Sequence, residues 1–202
     1  MTRGCVALSA TGLLLTACVA PEVLSPRDGT VPAGVDLSGN WVIRNSRNED
    51  QRRLREAISR TDGIKDEDIF REPDRQSRSQ MQRSRSERSV RGGLVYVFLE
   101  TGEALKVTQT ADGLFISFDR AVVEEFRFGE NRLVSVGEVE AQRVTGWEDD
   151  ELVVETLDRN SMKMTERFLV IDGGQVLQRT ITLRSKEGEE ETIVQLFDRA
   201  AD

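Results

Sequence analysis

The chain has 202 residues, 38% hydrophobic and 32% charged, with a formal net charge of −8. That length suits one domain plus appendages, and an acidic body excludes nucleic acid as the expected partner. Histidine is absent and both cysteines, Cys5 and Cys18, lie in the first eighteen residues. His-based triads, cysteine nucleophiles, Cys/His zinc sites and a disulfide within the body are thereby removed, so neither enzymatic activity nor a cofactor or metal is expected.

Residues 1–17 carry Arg3 and then an apolar run from Val6 to Leu15, too short to span a bilayer of roughly 30 Å and fitting a signal peptide. The run ends Leu15-Thr16-Ala17-Cys18. These four residues resemble the lipobox of bacterial lipoproteins. The resemblance implies cleavage before Cys18, lipidation of its thiol and acylation of the new N-terminus, an anchor in the membrane. Val19 stands where aspartate is the inner-membrane retention signal in many Gram-negative bacteria. The implied location is the cell envelope, on the outer membrane facing the periplasm. Residues 18–36 hold Pro21, Pro26, Pro32, Gly29 and Gly34 without apolar periodicity, and predict a tether.

The folded domain is expected from residue 37 to 202. Leu37–Ile43 reads as a first strand, and its Gly39-Asn40-Trp41 resembles the G-x-W motif that opens the barrel in lipocalins. In that family the tryptophan plugs one barrel end and an arginine of the last strand packs across it. The resemblance makes Trp41 and Arg199 the structural barrel end. The family's T-D-Y motif is absent. Ser46 and Glu49 form a capping-box pattern, and Leu54, Ala57 and Ile58 share one face at helical spacing, predicting a helix over about 48–60.

Residues 74–93 hold six arginines and two acids with almost nothing apolar, a composition that predicts a disordered loop. The Arg75–Arg91 segment could meet anionic lipid headgroups or an acidic envelope protein, or serve only as a solvated linker. Charge is uneven along the chain: residues 45–93 hold 13 basic and 10 acidic side chains, whereas residues 94–202 hold 12 and 23.

From Leu105 onward turn signals recur every eight to twelve residues, the spacing of an antiparallel meander. Nine or so strands with one short helix and no βαβ pattern predict a mainly β fold, an up-and-down sheet closing into a lipocalin-like barrel. Leu94–Leu99 fits a strand or a short helix. The acidic turns at 148–151 and 187–191 lack the spacing of a calcium loop. Centring a two-residue turn on Asp172-Gly173 sets Phe168 opposite Leu177, Met164 opposite Ile181 and Glu166 opposite Arg179. A turn centred on Arg159-Asn160 would bring Glu155 beside Glu166. Glu155, Met164, Glu166, Phe168 and Arg179 are therefore the candidate lining of a site for a small apolar or amphipathic, lipid-like ligand. The alternative is a filled barrel with an internal ion pair, acting as an envelope interaction module.

Overall fold

In the computed structural model residues 22–62 and 94–201 are described, so residues 1–17, Cys18 and the Arg/Ser segment lie outside the described residues. The elements are β1 (Gly39–Ile43), α1 (Arg47–Asp62) and a 3-10 helix at Leu94–Phe98, followed by nine strands. These are β2 (Ala104–Gln109), β3 (Gly113–Phe118), β4 (Val122–Arg127), β5 (Asn131–Val136), β6 (Val139–Glu148), β7 (Glu151–Asp158), β8 (Lys163–Ile171), β9 (Val176–Arg184) and β10 (Glu190–Arg199). They form one antiparallel meander in the order β4-β3-β2-β1-β10-β9-β8-β7-β6-β5, the first strand lying between the second and the last.

The sheet curls so that one face becomes an interior. Among the described residues no ladder joins its edges, β4 and β5, so main-chain closure stops one ladder short of a complete barrel. The seam is bridged instead by Arg143 of β6, whose Nη1 donates to Glu124 Oε2 of β4 at 3.1 Å, and by Gly129 N–H, which donates to the Thr145 carbonyl at 2.8 Å. β5 explains the gap. It offers only Val134 and Val136 to the core and leaves Leu133 75% exposed, so little apolar area rewards a further ladder.

Two apolar clusters fill the two ends. At one end Trp41, Leu105, Phe118, Leu152, Phe168, Leu177 and Phe197 pack across the interior from wall to wall. At the other, α1 presents Leu54, Ala57 and Ile58 to Met164, Ile181, Leu183 and Ile193, with Val95, Val97 and Phe98 of the 3-10 helix beside them. The helical spacing of those three residues thus marks the face by which α1 packs on β9 and β10. Six apolar residues from Leu94 cannot separate strand from helix by periodicity, and here they form a helical turn.

Two turns differ from their sequence expectation, with opposite consequences. Between β8 and β9 the loop is Asp172–Gln175 rather than two residues, with Asp172, Gly173 and Gly174 at positive φ. Phe168 therefore faces Arg179, Met164 faces Leu183 and Glu166 faces Ile181. This shift of two residues keeps every side chain on its predicted face. Between β7 and β8 the turn holds three residues, closed by Asp158 N–H donating to the Met162 carbonyl and with Ser161 at φ 63°. That odd count moves the register by one, setting Glu155 against Thr165 and Thr156 against Met164. A one-residue slip exchanges the two faces, so Glu155 lies on the outer surface and not beside Glu166.

Residues 22–36, expected to be a tether, lie against the barrel as a strap. Leu24 is buried with Val144 and Leu157 on the outer face of β6 and β7. The Trp147 N–H donates to the Asp28 carbonyl at 2.8 Å, and Leu37 N–H to Gln109 Oε1 at 2.9 Å. Two glycine contacts let the strap through. A Cβ on Gly29 would stand 3.2 Å from the Gly129 backbone, and one on Gly146 would stand 2.6 Å from Arg27 Cβ. Prolines and glycines raise no periodic signal, yet this chain docks because two ion-pairing residues, Glu22 and Arg27, and Leu24 have complementary partners on the strands.

Gly146→Ala is expected to lift the strap, at a cost of about 1–3 kcal/mol as for overpacking. Limited trypsin digestion should then cut after Arg27 in the variant well before it cuts the wild type there. Equal protection of Arg27 in both would mean the strap tolerates the added methyl group.

Candidate functional site

The interior centre is built by alternation on β8, β9 and β10. Met164, Glu166 and Phe168 point inward from β8, Arg179 and Ile181 from β9, and Gln195 from β10. Arg179 is 1% exposed. Its Nε donates to Glu166 Oε1 at 2.9 Å, its Nη2 reaches the same carboxylate oxygen, and its Nη1 donates to the Glu100 carbonyl at 2.9 Å and Gln195 Oε1 at 3.2 Å. The guanidinium carbon lies 5.4 Å from the Phe118 ring centre and 5.6 Å from that of Phe168. Gln195 passes the network to α1 by donating to Asp50 Oδ2 at 3.0 Å. The charge is thus neutralised, hydrogen-bonded and stacked on two rings, the conditions under which a buried guanidinium is tolerated.

A second arginine shows the same construction. Arg143 is buried with Glu124 as its carboxylate partner, its Nε donates to Thr156 Oγ1 at 3.2 Å, and its guanidinium lies 5.5 Å from the Phe98 ring and 5.4 Å from the Phe126 ring. Arg143 was not among the residues expected to line the interior. The alternation Ala141, Arg143, Thr145, Trp147 along β6 would have shown it.

Of the predicted lining residues, Met164, Glu166, Phe168 and Arg179 come together on the interior face, and Glu155 does not. Glu155 accepts from Arg27 at 2.8 Å and from Lys163 at 3.1 Å on the outside, beneath the strap. There the strap and the outer faces of β6 to β8 border a groove of about 460 Å³ that includes Glu22, Arg27, Trp147, Glu148, Glu155 and Lys163. Burial favours the neutral acid of Glu22, but hydrogen bonds and charge from Arg184 and Lys163 outweigh it and hold the carboxyl below its ordinary range. Glu148, against Arg27 and Arg167, is lowered in the same way. Beside the β7–β8 turn burial raises the Asp158 pKa, opposed by the N–H groups of Met162 and Asn160 that point at its carboxylate.

At the opposite end Trp41 is fully buried and its Nε1 donates to the Leu37 carbonyl at 3.1 Å. Arg199, paired with it across β1 and β10, places its guanidinium 4.1 Å from the ring centre. Its Nε donates to the Gly174 carbonyl at 2.6 Å and its Nη1 to the Ser38 carbonyl at 3.1 Å. Cys18 and the Arg75–Arg91 segment lie outside the described residues. Among those residues no three acidic side chains gather in a way that could hold a metal ion.

No family model matches this sequence, and no curated protein matches it. Among solved structures the chain is similar to a secreted abundant heat soluble protein of Ramazzottius varieornatus, at 13% identity over 87% of this chain and 100% of that one, TM-score 0.47. Secretory abundant heat soluble protein 4 of the same organism is similar at 13% identity over 81% of this chain and 94% of that one, TM-score 0.47. Apo lipid binding protein 8 of Caenorhabditis elegans is similar at 12% identity over 83% and 100%, again with TM-score 0.47. The fold, an antiparallel up-and-down half-barrel with one α-helix, is set by the strand ladders of the chain itself.

Proposed function

We propose that the protein is a lipid-anchored envelope protein whose half-barrel works by binding and not by catalysis, through its outer surface. The observation that carries this reading is Arg179 at the interior centre, paired with Glu166 and held between Phe118 and Phe168. At that point of the interior, protein groups satisfy one another. Contact with another envelope component then falls to the exposed surface, including the acidic turns, and to the Arg75–Arg91 segment, whose charge suits anionic headgroups or an acidic protein. The anchor itself is supported by Leu15-Thr16-Ala17-Cys18 following a short apolar run. Two or more acyl chains, each CH₂ contributing about 0.8 kcal/mol on burial, make such an anchor stable.

Cys18→Ser is expected to abolish incorporation of radioactive palmitate and leave the signal peptide attached. Wild-type protein that takes up no palmitate and is released in soluble form would overturn the lipoprotein reading.

A second reading is a small apolar or amphipathic ligand, favoured by the seam between β4 and β5, which no ladder joins and which the Arg143–Glu124 pair and one main-chain hydrogen bond bridge. An acyl chain could enter there past Phe98 and Phe126. Mass spectrometry of the purified body tests it: a stoichiometric co-purifying lipid supports this reading, and none retires it.

A further inference from the structure

The strap sets how far the body can stand from its anchor. Glu22 is pinned by Lys163 Nζ at 3.4 Å and by Arg184, the first residue of β8 and the last of β9. Only Val19, Ala20 and Pro21 separate it from Cys18. Even fully extended, that interval spans at most about 14 Å. The docking point lies at the helix-bearing end of the half-barrel: there α1 finishes, with Arg60 Nε 2.7 Å from Glu191 of β10, and there the β7–β8 and β9–β10 turns project. The Trp41 end is a whole strand away. From Val176 to Arg184, β9 alone covers roughly 26 Å.

We propose that the mature protein sits with its helix-bearing end against the phospholipid surface, and with the Trp41 end and the β8–β9 turn directed away from it. This rests on the lipid-anchor reading of Cys18. The end face carries exposed Lys186 and Arg159 but also exposed Glu187, Glu189 and Glu190, so its own charge gives it no strong preference for an anionic surface. Orientation comes from the short leash. The strap is therefore more than a cover for β6 and β7: by fixing Glu22 it converts a flexible tether into a stand-off of bounded length. Val23, 65% exposed beside Glu22, is the first large apolar side chain of the described residues and lies five positions from Cys18.

The test uses full-length, lipidated protein in phospholipid vesicles that contain a lipid with a spin-labelled headgroup. A fluorophore is placed on Lys186→Cys at the helix-bearing end or on Gln175→Cys in the β8–β9 turn, both exposed positions. Quenching should be several-fold stronger at 186 than at 175. A Gly/Ser spacer of about 12 residues between Pro21 and Glu22, with an r.m.s. span near 20 Å, should remove most of that difference. Gly146→Ala should do the same by releasing the strap. Equal quenching at the two positions in palmitate-labelled protein overturns the orientation while leaving the anchor intact. Failure to incorporate palmitate overturns the anchor, and the orientation with it.

Discussion

Arg179→Met should destabilise the protein by about 3–5 kcal/mol, the loss expected when one partner of a buried ion pair is removed. Methionine keeps much of the apolar stem between Phe118 and Phe168, so lost packing is a small part of this. The main cost is Glu166, 2% exposed, left ionised without a counter-charge or protonated at a cost in free energy. Glu166→Leu combined with Arg179→Met should recover much of the loss, because neither charge then has to be desolvated. Recovery should be incomplete, since the Glu100 carbonyl and Gln195 Oε1 would both have lost a donor from Arg179. Chemical denaturation of the three proteins measures the effect. An Arg179→Met variant within about 1 kcal/mol of wild type would behave as an exposed pair does, and would remove the filled interior on which the proposed function stands.

Trp41→Ala should cost a similar amount, about 3–5 kcal/mol for deleting a large buried aromatic side chain. Leu105, Phe118 and Phe197 would border the resulting void, and Arg199 would lose the ring on which its guanidinium rests. Arg199→Ala should cost less, because Trp41 would remain buried and only the stacking and the bonds to Gly174 and Ser38 would go. Trp147, at the edge of the Phe128 ring with a 5.4 Å centroid separation, remains as the single tryptophan in Trp41→Ala and reports unfolding by its fluorescence. Should Trp41→Ala prove the milder of the two, the end of the half-barrel would be held by the arginine and not by the plug.

How far the sequence led depended on local rules holding at each turn. The β6–β7 hairpin was legible because a tight turn across residues 148–151 brings Trp147 to Leu152. A turn centred on Asp112-Gly113 would set Val107 against Phe118, whereas the β2–β3 turn falls one residue earlier and pairs Val107 with Ile116, a two-residue shift that keeps the faces. At the β8–β9 turn the loop is two residues longer than the Asp-Gly signal implied, yet the inward set survived because two residues preserve parity. At the β7–β8 turn a single left-handed serine, which no composition rule singles out, removed Glu155 from the interior. The strap was illegible for another reason. Its docking is made of ion pairs with residues more than a hundred positions away, such as Arg27 with Glu148, and periodicity carries no trace of those.

The position of β1 between β2 and β10 sets the tempo of folding. Trp41 must pair with Leu105 on one side and Arg199 on the other, so the central contact of one end joins residues separated by 158 positions. Loop closure on that scale is slow, and sheets dominated by such pairings fold in milliseconds to seconds where helical bundles take microseconds to milliseconds. Until β10 has been synthesised, both β1 and β9 expose an unpaired edge, with Trp41 and Leu177 uncovered beside them. A growing chain at that stage is the form of this protein most open to pairing with another copy of itself, and the arrival of Thr192–Arg199 is the event that ends the exposure.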